Sequence, residues 1–324
     1  MSSSASDLTT LIAALLAAVP LSYALAALWP ARHTHVHRLQ SAARCASVLA
    51  AVGTLALAGL LAWHGPAVVA LPGDGAARRG LTWLSLRLDG VTLAMLLLIS
   101  LVGFVLVRFS IVYLTGEAGQ ARYLRWLMAT LSAVALLVMA NHLLWLAGAW
   151  TATSVALHQL LTFYRSRPQA LIAAHKKFLI SRLADLCLWP ALALIGLETG
   201  SLELDTVTRR LQTMSVLPSG LETAALLLVI AAALKCAQLP FHGWLTQVME
   251  APTPVSALLH AGVVNIGGFL MIRLAPLMVK APAAQTLLVA IATITTVVAA
   301  LVMTTRVSVK LALAWSTCAQ MGLM

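Results

Sequence analysis

The chain has 324 residues, 61% of them hydrophobic and only 10% charged, and its mean hydropathy is strongly positive. That balance excludes a soluble globular domain and places the chain in a bilayer. The formal net charge of +11 raises nucleic acid as a partner, so the positions of the 21 Lys and Arg residues decide what the charge means.

A spanning helix needs about 20 mostly apolar residues, and such stretches recur from end to end with short polar connections. Their number is about ten, with boundaries set by hydropathy alone. The first runs from Leu8 to Trp29. Its leader, Met1 to Asp7, lacks the basic segment of a cleavable signal peptide, so it is expected to be a retained first span. The others are expected at Ala43 to Trp63, Val91 to Val112, Leu124 to Met139, Leu143 to Phe163, Phe178 to Leu197, Leu221 to Leu239, Pro254 to Leu277, Thr286 to Met303, and from Leu311 onward. Only the connections Leu71 to Arg87 and Glu198 to Glu222 are long enough to hold extra structure.

The basic residues sort by loop. Those after odd-numbered spans carry Arg32, Arg38 and Arg44, then Arg108, Arg122 and Arg125, then Arg165, Arg167, Lys176 and Lys177, then Arg306 and Lys310. Those after even-numbered spans are near neutral or acidic, with Glu198, Glu203, Asp205, Arg209, Arg210 and Glu222. The positive-inside rule then puts the odd loops in the cytoplasm and the N-terminus outside. Topology accounts for the charge and leaves no nucleic-acid reading. Cys45, Cys187, Cys236 and Cys318 lie singly in expected spans, without the pairing that zinc or a redox dithiol needs. The chain has no P-loop, dinucleotide glycine fingerprint or nucleophile elbow.

An ionisable group at membrane depth costs several kcal/mol by insertion scales, roughly 3 for Arg, Lys or Asp, so each one is a functional hypothesis. On the fifth span Thr151, Ser154, His158 and Thr162 fall on one helical face. This stripe is either interhelical hydrogen bonding or a hydrated relay through His158, whose imidazole both donates and accepts. Arg182 and Asp185 are three apart on the sixth span, spaced to neutralise each other, or to gate proton movement if the pair opens towards another titratable group.

The richest segment runs from Ala233 to Leu245. Helical spacing puts Lys235, Gln238 and His242 on one face, while Pro240 removes a backbone donor and should break the helix. Broken helices at membrane depth are tolerated where they line a cavity, and transporters build ion sites there. Buried lysine gives up its proton more readily than other cations, so Lys235 is a candidate for proton exchange, with snorkelling to an interface as the alternative. Glu250 to His260 follows, with Pro252 and Pro254 suited to a helix start. Thr253, Ser256 and His260 form a further polar face, on which His260 is either a relay or a satisfied core residue.

Lys235-Cys-Ala-Gln-Leu-Pro-Phe-His-Gly-Trp-Leu245 and Ala251-Pro-Thr-Pro-Val-Ser-Ala-Leu-Leu-His260 resemble the signature of antiporter-like proton-translocating membrane subunits. These occur in respiratory complex I and in multisubunit cation/proton antiporters. Trp150-Thr-Ala-Thr-Ser154, Arg182-Leu-Ala-Asp185 and the stretch from Lys310 to Gly322 are similar to three further parts of the family pattern, so the likeness runs from about Leu86 onward. Within the family, Glu250 and Asn265-Ile-Gly-Gly268 look most like the DabB branch of inorganic-carbon pumps. Complex I members usually carry Pro-Asp-Ala-Met-Ala-Gly where this chain has Thr246-Gln-Val-Met-Glu-Ala251.

The resemblance implies an all-α, polytopic membrane helix bundle of about ten transmembrane helices with a broken helix near Pro240. Residues 1–115 would be N-terminal helices, 120–280 a first antiporter-like repeat, and 284–324 the start of a truncated second, inverted repeat. It implies a multi-pass subunit of the bacterial inner membrane that is not itself an enzyme and carries no cofactor. Its partner would be a DabA-like zinc subunit related to beta-type carbonic anhydrases. Protons or sodium would pass down their gradient through this chain and make the hydration of carbon dioxide effectively one-way. The ion path would comprise Lys235 and His260, supported by His158, Arg182, Asp185, Glu250 and Lys310. The pattern departs at one point. The family's lysine relay pairs with a glutamate directly after a tryptophan, and that place here is Thr151; His158, Asp185 and Glu250 are the substitutes open to it. Rival expectations within the family are a redox-driven NADH:quinone oxidoreductase subunit and a cation/proton antiporter subunit. A further rival is a scaffold that conducts nothing and only anchors its partner.

Overall fold

The computed structural model describes residues 2–29, 36–71, 84–248 and 251–324. Arg32, Glu250 and residues 72–83 lie outside them. The chain forms two compact units, Met1–Leu160 and Leu161–Met324.

In the first unit, α1 (Ser2–Leu28) packs on α2 (Val36–His64) and α4 (Gln120–Met139), and α3 (Gly90–Tyr113) packs on both α2 and α4. Helices in lipid gain little from apolar burial and associate through close packing and polar contacts. Gly103 of α3 provides such a close approach, since a Cβ there would lie 3.1 Å from the Tyr23 hydroxyl and 3.2 Å from Leu131. Ser100 Oγ lies 3.1 Å from Thr54 Oγ1 between α3 and α2. Ser132 donates at 2.8 Å to the carbonyl of Pro20, the proline inside α1. Arg125 donates at 3.0 Å to the Ala27 carbonyl at the end of α1, a cation where the helix dipole favours one. α5 (Leu143–Leu161) runs to the boundary of the unit.

One expectation needs amending. β1 (Ala67–Leu71) and β2 (Leu84–Leu88) form an antiparallel hairpin, with Ala67 opposite Leu88 and Leu71 opposite Leu84. The all-α bundle therefore carries a small sheet in the connection thought long enough for extra structure. Leu84, Leu86 and Leu88 alternate with Ser85 and Arg87, the period-two signal of a strand. Asn141 anchors it, donating from its backbone to the Ser85 carbonyl at 2.9 Å and from its side chain to Ser85 Oγ at 3.0 Å.

The second unit contains α6 (Pro168–Thr199), α7 (Leu204–Thr213), α8 (Ser219–Lys235), α9 (Gly243–Gln247), α10 (Thr253–Leu258), a π-helical turn (Leu259–Val263), α11 (Ile266–Arg273), α12 (Ala275–Met278), α13 (Pro282–Thr304) and α14 (Val309–Leu323). α6 packs along α8, α13 along α14, and α8 also meets α11 and α13. Pro168 occupies the first turn of α6, where its missing donor costs nothing, and Gly200 ends the helix in the left-handed region at φ 61°. α7 fills the Glu198 to Glu222 connection and buries Leu204, Val207 and Leu211. Lys280 donates to the carbonyls of Leu211 and Gln212 at its end, at 2.6 and 3.1 Å.

The ten expected spans fall on helical segments, and six helices among the described residues are long and apolar enough to cross a membrane. These lie at Leu8–Leu28, Val36–His64, Gly90–Tyr113, Gln120–Met139, Pro168–Thr199 and Pro282–Thr304. The chain is a multi-pass membrane protein. α8 has 17 residues and α14 has 15, and the expected span Pro254 to Leu277 is divided into α10, the π turn, α11 and α12. α6 starts ten residues before the expected Phe178 because Pro168 opens it.

Asp89 joins the hairpin to α3. Its carboxylate accepts the Thr92 amide at 2.8 Å as an N-cap and pairs with Arg87 Nε at 2.7 Å. Asp89→Ala should cost about 1 kcal/mol, and Asp89→Asn less. Thermal unfolding of the purified protein in detergent checks the order, and equal melting points for all three would contradict the cap.

Candidate functional site

The site is built where α6 lies along α8. Five of the residues that α8 buries are alanines, Ala224, Ala225, Ala231, Ala232 and Ala233, and small side chains let two helices approach closely. Lys235 is the last residue of α8 and is 4% exposed. On α6, Arg182 Nη2 meets Asp185 Oδ2 at 2.9 Å, and the Arg182 guanidinium also lies 5.0 Å from the centre of the Phe178 ring. Asp185 is 6% exposed. The charges of Asp185 and Arg182 both act on Lys235, so the ion pair expected within α6 also reaches across to the lysine of α8.

The helix breaks as Pro240 requires, but earlier than the proline itself. α8 ends at Lys235, and helical structure resumes at Gly243. Between them Ala237, fully buried, takes φ 52°, a left-handed conformation that costs a residue with a Cβ roughly 1–2 kcal/mol. Two of the freed groups find partners elsewhere in the unit. The Leu239 amide donates to Thr295 Oγ1 of α13 at 3.0 Å, and Cys236 Sγ donates to the Val264 carbonyl at 3.1 Å. Gly267 permits this approach, since a Cβ there would lie 2.4 Å from Cys236 Sγ and 3.0 Å from the Ala232 carbonyl.

One sequence reading is corrected by the break. Lys235, Gln238 and His242 do not share a helical face, because helical periodicity stops at Lys235. Gln238 lies beside a cavity of about 400 Å³ with Ala232, Cys236, Gly268, Thr296 and Gly322 in its wall. Gln238 is 5% exposed, and neither end of its amide has a hydrogen-bond partner among the described residues. The His242 ring lies tilted against Trp315 of α14, with ring centres 4.8 Å apart.

His260 lies in the π turn, a distortion frequent at functional sites. Its Nδ1 is 2.8 Å from Thr317 Oγ1, which donates its proton to the Leu313 carbonyl at 3.0 Å. A hydroxyl has one proton to give, so His260 Nδ1 is the donor and Nε2 is left as the ring's acceptor.

His158 is on α5 in the first unit, where Ser154 is buried on the same stripe and donates to the Trp150 carbonyl at 3.4 Å. Lys310 is exposed in the first turn of α14 and is not brought to the lysine. Glu250 lies outside the described residues. Sequence reasoning missed Lys177: counted as a loop cation, it is the tenth residue of α6 and 2% exposed. Pro168 as a helix start and the spacing Lys177, Ser181, Asp185 were the available signals. Among the described residues, no three His, Cys, Asp or Glu side chains converge as a metal-ligand set.

The family profile described as "NADH:quinone oxidoreductase/Mrp antiporter, TM" matches residues 140–324, which include the whole arrangement around Lys235. The chain belongs to this family. A second profile, the N-terminus of chain 5 of NADH-ubiquinone oxidoreductase (complex I), matches residues 82–124. Among curated relatives, the probable inorganic carbon transporter subunit DabB of Hydrogenovibrio crunogenus is 48% identical over 250 residues, covering 75% of this chain and 48% of that protein. The probable inorganic carbon transporter subunit DabB2 of Halothiobacillus neapolitanus is 45% identical over 245 residues, covering 76% and 44%. The chain thus spans about half the length of the curated relatives it matches. Of solved structures, the Mrp complex from Dietzia sp. DQ12-45-1b has a chain similar to this one, with a TM-score of 0.78 and 26% identity over 98% of this chain and 33% of that one.

Removing one member of an ion pair in low dielectric costs more than removing both, because the survivor is left uncompensated. Arg182 is partly exposed, with 31% of its side-chain surface open, so the penalty for Asp185→Ala should sit at the lower end, about 3 kcal/mol. Arg182→Met combined with Asp185→Leu should recover part of that loss. Apparent melting temperatures of the wild type and the two variants in detergent test this, and a double variant no more stable than Asp185→Ala would refute the coupling.

Proposed function

We propose that this chain is the ion-conducting membrane part of an energy-coupled inorganic-carbon pump of the bacterial inner membrane, with its N-terminus outside. Protons or sodium ions pass down their gradient through it and drive a DabA-like zinc subunit, related to beta-type carbonic anhydrases, that converts carbon dioxide to bicarbonate. The chain supplies the path and not the chemistry. The observation that carries this reading is a buried lysine at the end of a broken membrane helix, electrostatically tied to a carboxylate on the neighbouring helix. The similarity to DabB proteins over three quarters of the chain supplies the cargo.

In this reading Asp185 takes the role of the glutamate that the family pattern would place at Thr151. A lysine that exchanges protons needs a nearby anion, which stabilises the ammonium and raises the cost of losing the proton. Asp185 is shared with Arg182, so movement of Arg182 towards or away from it changes the field at Lys235. That is a physical route by which the ion pair gates the lysine. His260, with Nε2 free to accept, relays protons beyond the helix break. The gradient supplies about 2.3 kcal/mol per charge for each 100 mV.

The family profile and the Mrp likeness favour a second reading, a proton-translocating subunit of an NADH:quinone oxidoreductase or a cation/proton antiporter. The two readings divide on cargo. In cells lacking their own carbonic anhydrase, the full-length protein expressed with its zinc partner should support uptake of labelled inorganic carbon that collapses with a protonophore. Lys235→Met, present at wild-type amounts, should lower that uptake at least about tenfold, a barrier change of about 1.4 kcal/mol. Full uptake by Lys235→Met removes the lysine from the path. An inserted wild-type pair that takes up nothing transfers the case to the second reading.

A further inference from the structure

Lys177 is a buried cation of the second unit that this reading leaves unused. A lysine near a helix end ordinarily runs its stem along apolar surface and keeps its ammonium in water. Lys177 instead ranks among the largest fully buried side chains of the chain. Ser181 and Asp185, 3% and 6% exposed, follow it at one-turn intervals. Three buried polar side chains therefore make a ladder on one face of α6, about 12 Å long from Lys177 to Asp185 at 1.5 Å per residue. α6 packs along α8, and the charge of Lys235 acts on Lys177, as do those of Arg182 and Asp185. The neighbouring groups on α6 are directed elsewhere. Lys176 approaches Gly243, and exposed His175 bonds the Leu171 carbonyl at 2.6 Å.

We propose that Lys177 is a second proton-carrying residue, which exchanges a proton with Lys235 along the α6–α8 interface with Asp185 as their shared counter-charge. The proposal rests on the proton-conduction reading above. In the exchange an N–H bond of one ammonium breaks and the lone pair of the other, neutral amine takes the proton, so one ammonium and one amine are present before and after. The Ser181 hydroxyl, which both accepts and donates, lies on the ladder between Lys177 and Asp185. Two amines that feel one carboxylate and each other titrate as a unit. A proton on one disfavours a proton on the other, which favours transfer over accumulation.

Arginine separates a carrier from a structural cation, because it keeps the charge and most of the length but does not release its proton. In the carbon-uptake assay, with the full-length protein and its partner, Lys177→Arg at wild-type abundance should lower protonophore-sensitive uptake at least about tenfold, as should Lys177→Met. Uptake by Lys177→Arg within about twofold of wild type would show a structural cation and overturn the proposal, as would full uptake by Lys177→Met. If neither variant accumulates in the membrane, Lys177→His decides, since imidazole still exchanges protons but titrates near neutrality. It should retain uptake with a displaced pH dependence; an unchanged pH dependence, or no uptake, overturns the proposal. A wild-type pair with no protonophore-sensitive uptake defeats the underlying reading, whereas an active wild type with an equally active Lys177→Arg defeats this inference alone.

Discussion

Charges in a low-dielectric interior persist only where something compensates them, and the second unit is organised around that constraint. Lys177, Arg182, Asp185 and Lys235 lie on two adjacent helices and act on one another. A single ion in hydrocarbon costs several kcal/mol, roughly 3 by insertion scales, so their grouping requires α6 and α8 to stay in contact. Five of the residues that α8 buries are alanines, and small side chains suit close helix approach.

Hydropathy made much of the membrane architecture legible, because a lipid-spanning helix announces itself by length and lack of charge. The positions it misread were those where another signal competed. The hairpin strand Leu84–Leu88 sits directly before an apolar helix, and its period-two alternation was lost beside the stronger signal of α3. The span at Pro254 to Leu277 reads as continuous because the residues of the π turn are apolar apart from His260. A π turn is a hydrogen-bond shift that composition does not report. Lys177 was assigned to a loop by the same rule that explained the net charge, since a lysine beside Lys176, Arg165 and Arg167 looks like one more cytoplasmic cation.

Within the site, Lys235, Asp185 and His260 were marked by being ionisable in apolar stretches, and Pro240 by its chemistry. Their relationships were less legible. A face shared by Lys235, Gln238 and His242 follows from helical periodicity, yet Pro240 is the reason that periodicity does not hold. The departure begins at Cys236, before the proline, because the loss of its donor and the bulk of its ring disturb the preceding turn. Thr151 in place of a glutamate was the feature least explained by the motif pattern.

The irregular segments that create the site are completed by later parts of the chain. The break after Lys235 leaves the Leu239 amide outside any helix, and Thr295 of α13 accepts it. The π turn turns His260 towards Thr317 of α14, whose own proton is committed to Leu313. An unpartnered backbone amide at membrane depth would cost several kcal/mol, so a break in α8 without α13 would favour closing up into regular helix. The signature from Lys235 to His260 is therefore necessary but not sufficient for the geometry it marks. From two other helices, Thr295 takes up the backbone amide that the break frees and Thr317 holds the His260 ring.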